Sequence, residues 1–417
     1  MGNVDVFMVN GNNIAVIGGG AAGFFAAISC KAHHPQTKVS IYEKSDKLLA
    51  KVKISGGGRC NVTNACFTIS KLAKNYPRGG KELKNAFTCF STNDTVKWFE
   101  SRGVKLKAEE DNRIFPVTDS SQTIINCLMH ETEKLGISLQ LKQALMDVER
   151  DPDGFKLIFS DRIVRADKVI IASGGSPKSE GLAWLEKSGH AIEKPVPSLF
   201  TFNMPGEQIT SLRGISVGNV NVRVSGTTLQ SEGPLLITHW GMSGPVILKL
   251  SAWGARILNA LNYQFSIRVN WLGNWNEDRA RSELIGETAL HPKRKVGNTE
   301  SFKLPHRLYL FLMNKTGINP DTELGEMGKK NQNRLLNTIL NDEYKVEGKT
   351  TFKEEFVTCG GVSLDNVSMH TMESKVCPGM FFAGEVLDID GVTGGFNFQA
   401  AWTTGFIAGK LGSASDR

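Results

Sequence analysis

From Asn13 the chain runs through four consecutive apolar residues, Ile14-Ala15-Val16-Ile17, into the small-residue cluster Gly18-Gly19-Gly20-Ala21-Ala22-Gly23. Apolar positions at helical spacing then continue through Ile28 to Cys30. A short apolar run ending in glycines predicts a buried strand, so the order is strand, tight turn, helix. The helix should stop before Pro35, and Lys38-Val39-Ser40-Ile41-Tyr42-Glu43 predicts the second strand of a βαβ unit. Residues 123–135 carry helical apolar spacing, and strand-like runs follow at 138–141, 155–159 and 168–171. The last of these leads into Ser173-Gly174-Gly175.

Around Pro195-Val196-Pro197 the texture changes to short alternating runs, such as 219–224 and 235–237, which suit a β-rich module. From 274 to 343 the pattern turns polar and helical, with apolar faces at 307–312 and 334–339. After Thr351 it is again apolar and glycine-rich, and residues 379–384 predict a strand running into a turn. The expected organisation is therefore a discontinuous first domain, 1–196 and 351–417, interrupted by a β-rich domain, 197–273 and 344–350, and by a small helical insert, 274–343. The fold class is α/β, and no internal repeat is visible.

A length of 417 residues accommodates about three domains and excludes a single small binding module. No apolar run reaches the ~18 residues of a spanning helix, so no membrane partner is expected. Residues 1–11 have neither the basic nor the apolar stretch of a leader, and a cytoplasmic location is expected. Seven cysteines without CxxC spacing point to reduced thiols, with no disulfide framework and no metal site. A net charge of +7 admits a nucleic-acid partner, but 42 acidic residues are interspersed with the basic ones. The one compact basic run, Pro292-Lys293-Arg294-Lys295, suits a solvated loop, so nucleic acid is not expected as a partner.

The 43 glycines fall in clusters, which suggests close approach of the backbone to a ligand. In Gly18-x-Gly20-x-x-Gly23 the first glycine makes the turn, the second admits a pyrophosphate to the backbone, and the third lets the helix pack on the strand. Glu43, about 20 residues further on, is placed to accept hydrogen bonds from ribose hydroxyls and disfavours a 2′-phosphate. The second dense site is Ser55-Gly56-Gly57-Gly58-Arg59-Cys60-Asn61-Val62-Thr63-Asn64. Its glycines, including Gly57 and Gly58, and its short polar residues Cys60, Asn61 and Thr63 can wrap a phosphate or a flavin edge, with Arg59 as a planar donor fork. Cys60 and Cys66 invite a redox-disulfide reading, but their separation is one residue too long for the flavin disulfide reductases and no His-Pro partner lies near the C-terminus. In the third site a strand ends at Gly384, acidic residues follow, and Gly394-Gly395 opens an Ala-rich helix whose amides can hold an anion or a flavin carbonyl.

With these motifs the chain resembles the YhiN-like, or BaiN-like, flavoproteins, NAD(P)/FAD-dependent oxidoreductases that include an aminoacetone oxidase. The resemblance covers essentially the whole chain. It rests on the three glycine blocks above, on Thr238-His239-Trp240-Gly241-Met242-Ser243-Gly244-Pro245 and on Cys359-Gly360-Gly361-Val362. It implies a glutathione-reductase-type, Rossmann-like FAD domain interrupted by a β-barrel-like domain and a small helical domain. FAD contacts carry over to Gly18, Gly20, Ala22, Gly23, Glu43, Lys44, Arg59, Gly384, Asp388, Gly395, Phe396 and Asn397. Ser173 stands where this superfamily usually has threonine, which keeps the hydroxyl.

The expected activity is that of an FAD-dependent oxidoreductase, with hydride passing between flavin N5 and a small organic substrate such as an amine. Only one dinucleotide turn is present, so NAD(P)H, if used, visits transiently as reductant. Reduction of an activated double bond, as in fumarate-reductase-like flavoproteins, is a second reading, with His239 and Arg213 as its substrate-binding candidates. A non-enzymatic basic flavoprotein that binds RNA is a third. His239 is the one catalytic candidate, as a proton donor or substrate ligand. The oligomeric state is not indicated.

Overall fold

The computed structural model describes residues 12–351 and 357–412; the reading of residues 1–11 lies outside them. The chain divides into two compact units, Met1–Pro197 with Lys353–Arg417, and Ser198–Phe352.

The first unit is built on five parallel strands in the order Ser138–Gln140, β2 (Lys38–Tyr42), β1 (Asn13–Ile17), Lys168–Ile171, Met380–Phe382. Val367–Ser368 and Glu373–Ser374 extend the last edge antiparallel. A strand covered on both faces needs no polar side, which is why β1 reads as an unbroken apolar run; Val16 and Ile170 are both 0% exposed. After β1 comes helix α1 (Ala21–His33), and the C-terminal helix Phe396–Gly409 packs along it. These two helices meet nearly backbone to backbone: a Cβ on Gly409 would stand 2.4 Å from the Ala26 carbonyl oxygen. Phe25 of α1 fills the space beyond, with ring centres 4.5 Å from Trp98 and 5.1 Å from Trp402. A three-stranded antiparallel meander, Leu145–Asp151, Gly154–Phe159 and Ile163–Ala166, precedes the fourth parallel strand.

The second unit contains a seven-stranded antiparallel sheet. Its edge strands are Asp342–Glu347 and Lys349–Thr350, which are separated in the chain by Gly348 alone, so the sheet must curl until its two edges meet. Gly348 joins them, donating to the Tyr263 carbonyl at 2.8 Å and accepting from the Asn203 amide at 3.1 Å. Helices Glu277–Leu290, His306–Thr316 and Lys329–Leu340 share one apolar core with this barrel, in which Trp271, Leu308, Leu312, Leu336 and Tyr344 lie together. The buried Asp342 ties helix to strand: it takes the Lys315 ammonium at 2.5 Å, the Trp271 indole N–H at 3.0 Å, and the Tyr344 hydroxyl. Burial, and then the neighbouring Asp342 charge, push the Tyr344 hydroxyl well above its ordinary pKa, so it stays a donor.

No helix among the described residues is long and apolar enough to cross a membrane, and no cluster of His, Cys, Asp and Glu among them could hold a metal ion.

Candidate functional site: a main-chain cradle

In the first unit the turn after β1 is set by backbone contacts that exclude side chains. Gly18 has φ +116, and a Cβ on it would lie 2.2 Å from the Ala172 carbonyl oxygen. A Cβ on Gly23 would lie 1.9 Å from the Gly18 carbonyl oxygen, so α1 can sit this close to β1 only with glycine there. Gly20 is different: it caps α1, and nothing lies within 4 Å of where its Cβ would be. The first turn of α1 carries no acidic residue, so its free amides and the positive end of the helix dipole face open space. Ala22 is buried and can contribute only main chain. Glu43 closes the turn, its Oε2 accepting from the Gly19 amide at 2.8 Å and its Oε1 from the Ser45 amide and hydroxyl, each at 2.9 Å. Lys44 beside it is exposed.

The second loop leaves helix α2 (Ala50–Gly58), whose last turn is broken: Gly56, Gly57 and Gly58 all have positive φ. The Cβ positions of Gly57 and Gly58 are open, whereas one on Gly56 would strike the Phe115 ring at 2.8 Å. The Arg59 fork stacks 4.0 Å over Phe115 and pairs with Glu109 at 2.6 Å and Asp119 at 3.5 Å. Cys60 and Thr63 are buried; burial pushes the Cys60 thiol up to about 12, so it is no thiolate at neutral pH. Cys60 and Cys66 are both free thiols.

The third loop is fastened to the second. With its amide oriented to satisfy both neighbours, Asn61 accepts from the Gly395 amide at 2.9 Å and donates to the Thr63 carbonyl at 3.0 Å. Asn64 donates to the Gly394 carbonyl at 3.0 Å, and the Thr63 hydroxyl donates to Gln399 Oε1 at 2.6 Å. Asn397 holds its own loop, accepting from the Gly391 amide at 2.8 Å and donating to the Gly391 carbonyl at 2.9 Å. Buried Asp390 pairs with Arg78, and the buried Phe396 carbonyl accepts from the Tyr76 hydroxyl at 2.7 Å. Gly384 reaches the C-terminal helix through its amide, 2.8 Å from the Thr404 hydroxyl, and the Asp388 amide donates to the Val362 carbonyl at 3.0 Å. The structure thus brings all three sequence blocks together.

Glu385 of the third block belongs here together with two residues the sequence did not single out, Lys51 and Thr358. Glu385 accepts from Lys51 Nζ at 2.6 Å and from the Thr358 amide at 2.8 Å. The Thr358 hydroxyl is buried without a hydrogen-bond partner, and a Cβ on Gly175 would be 2.4 Å from it. Only the acid following Gly384 offered a signal for this group in the sequence; Lys51 and Thr358 are single polar residues in unremarkable surroundings.

In the second unit, His239 is exposed at the tip of the hairpin between Gln230–Ile237 and Gly241–Ser243, its ring edge-on to Trp240 with centres 4.5 Å apart. Trp240 is anchored by its indole N–H, which donates to the Thr201 hydroxyl at 3.1 Å. The Gly214 amide donates to the Ile237 carbonyl at 2.9 Å, which puts the exposed Arg213 at the same end of the sheet as His239.

The family model described as HI0933-like protein Rossmann domain matches residues 12–411. The chain belongs to the HI0933-like family. It is 30% identical over 95% of its length to the ribosomal RNA dihydrouridine synthase of Escherichia coli (strain K12), covering 96% of that protein. It is 25% identical over 96% of its length to the 3-dehydro-bile acid delta(4,6)-reductase of Clostridium scindens, covering 98% of that one. Among solved structures, a quinol-fumarate reductase with menaquinol molecules superposes with a TM-score of 0.50 at 13% identity, over 95% of this chain and 70% of that one, a likeness of fold.

This HI0933-like chain is a flavin oxidoreductase with a Rossmann-type FAD-binding domain. FAD fits the residues present: the first-turn amides of α1, which have no side-chain cap and no acidic residue in that turn, open space at Gly20, Gly57 and Gly58, and a buried Thr358 hydroxyl without a hydrogen-bond partner.

Proposed function

We propose that this protein is an FAD-dependent reductase that adds two hydrogens across an activated carbon–carbon double bond, with uridine in RNA as its substrate. The observation that carries this reading is the full-length match, at 30% identity, to a ribosomal RNA dihydrouridine synthase. Dihydrouridine differs from uridine by one hydrogen at C6 and one at C5, so the reaction consumes a hydride and a proton. FAD, when bound, supplies the hydride chemistry, and a reduced nicotinamide is the class of reductant that restores it.

The chain's own residues have the following roles in this reading. The amides of Gly20 to Gly23 would hold the pyrophosphate, and Glu43 and Lys44 would border the ribose. Gly57, Gly58, Cys60, Asn61 and Thr63 shape one wall, largely through main chain, and Arg59 braces it against Glu109 and Asp119. Gly384, Asp388, Gly394, Gly395, Phe396 and Asn397 would shape the other, and the unpartnered Thr358 hydroxyl, beside Glu385, would be available to a polar group of the cofactor. His239, on the second unit, is the candidate proton donor. An RNA substrate also places the protein in the cytoplasm, and it sets aside the expectation, drawn from charge alone, that nucleic acid is no partner.

The test is anaerobic incubation of the holoprotein with NADH or NADPH and an unmodified ribosomal RNA transcript, followed by digestion and mass spectrometry of the nucleosides. A uridine heavier by two hydrogens is expected. Reoxidation of the flavin without dihydrouridine would overturn the substrate. The 25% match to a bile-acid reductase favours a second reading, a conjugated steroid enone, which the same assay examines with steroid in place of RNA.

A further inference from the structure

We propose that the helical hairpin formed by α3 (Ile69–Ala73) and α4 (Gly80–Cys89) binds the phosphate backbone of an RNA through Lys71, Lys74, Lys81 and Lys84, beside the loop that closes the cofactor cradle. The inference rests on the proposed RNA substrate and says which surface of the first unit receives it.

All four lysines are exposed, and among the described residues none is in an ion pair. Each pair is spaced i, i+3, so Lys81 and Lys84 share the solvent side of α4 while Leu83, Ala86 and Phe87 are buried on the other. The single acid between Lys71 and Lys84 is Glu82, which is half-buried. The basic run 292–295 behaves in the opposite way. Arg294 pairs with Glu287 at 2.7 Å and Glu300 at 3.5 Å, and Lys295 pairs with Asp321 at 2.5 Å, so most of that charge is already neutralised.

The turn between the two lysine pairs is fastened to the third loop of the cradle. The Val392 amide donates to the Asn75 carbonyl at 2.9 Å, Tyr76 and Arg78 bond Phe396 and Asp390, and a Cβ on Gly79 would stand 2.6 Å from Ile389. An RNA lying along the lysines is thereby held against the loop that shapes the flavin wall. Phe67, 55% exposed just before α3, offers a ring on which an unstacked base can lie. An anionic membrane is the poorer occupant, because an interfacial helix must present an apolar face outward and α4 turns its apolar face inward.

The test measures binding of the holoprotein to a fluorescein-labelled single-stranded oligouridylate between 50 and 200 mM salt. For K71Q/K74Q/K81Q/K84Q we expect an affinity loss of tenfold or more, with FAD content unchanged. The slope of log K against log salt should become shallower by roughly 0.7 for each phosphate contact removed. K81Q/K84Q, confined to the exposed side of α4, should give about half that change and serves if the fourfold variant loses flavin. K293Q/K295Q should bind as the parent does. Parental affinity and slope in both lysine variants would overturn the surface alone. Absence of binding by the parent would overturn the RNA substrate with it, and binding only to phosphatidylglycerol vesicles would assign the lysines to lipid.

Discussion

The cradle of the first unit and the hairpin of the second are made of different material. The cradle is main chain: Gly18, Gly23 and Gly395 stand where an added Cβ would lie 2.2, 1.9 and 2.5 Å from a carbonyl oxygen. Where α1 begins there is no acidic side chain in the first turn and open space at the Cβ position of Gly20. The hairpin offers side chains, an exposed imidazole edge-on to an anchored indole. A site made of backbone admits one residue type per position and so marks the sequence; a site made of side chains uses residues any surface could carry.

The sharpest way to break that contrast is at the glycines. Gly20→Val should leave the fold intact, because its side chain enters open space, and should abolish FAD retention if, as proposed, that space receives the phosphate. Gly23→Ala should instead disturb the turn itself, since its Cβ meets the Gly18 oxygen. Flavin absorbance per protein and the melting curve separate the two. Full flavin occupancy in Gly20→Val would show that the main chain there does not hold the phosphate.

On the hairpin, His239→Ala should lower turnover per bound flavin by roughly 10²-fold, the range of a lost general acid, with FAD content unchanged. The ring is exposed, with only the edge-on Trp240 recorded against it, so a merely structural histidine would leave both quantities nearly unmoved. Such a result would remove His239 from the chemistry.

These differences explain what could be read in advance. The central parallel strands were visible because burial on both faces leaves unbroken apolar runs, as at 14–17 and 169–171. The strand Gln264–Asn270 was not singled out, since Gln264 and Arg268 face outward and dilute its apolar positions. The glycine blocks of the cradle were legible one by one; that Asn61 fastens the second to the third was not, because it depends on a contact between residues far apart in the chain. Thr358 was silent for the same reason: what distinguishes it is a missing hydrogen-bond partner.

Thr358 gives the next, smaller test. If its hydroxyl serves the bound cofactor, Thr358→Val should weaken FAD by about fivefold, the value of one hydrogen bond near 1 kcal/mol. If it serves nothing, removing a buried orphan should raise the melting temperature and leave the FAD affinity unchanged. Titration of the apoprotein with FAD, together with the melting curve, decides between these outcomes.

The smallest expected effect distinguishes the two units by acid. In the first, His190 is buried, with Nε2 2.8 Å from the Ser374 hydroxyl and Nδ1 2.9 Å from the Ser188 hydroxyl. Burial lowers its pKa from the usual 6.5, and the Leu185 carbonyl offsets this only in part. The unfolded chain therefore takes up a proton before the native one does, and stability present above pH 6.5 is lost as pH falls through the folded value. In the second unit, burial would raise the Glu287 carboxyl, but hydrogen bonds from the Ser301 hydroxyl, the Glu300 amide, Arg294 and the Ser301 amide outweigh it and hold it below the usual 4.5. Its contribution is present above pH 4.5 and lost only below. Between these two values His190 should weaken the first unit while Glu287 still supports the second, by at most about 1.4 kcal/mol per pH unit for one proton. Hydrogen exchange at pH 7.5 and 5.5, resolved by peptide, should show protection falling faster around Ser374 than around Ser301. His190→Gln, which cannot titrate, should remove that difference; if the acid sensitivity of the first unit survives the substitution, another group carries it.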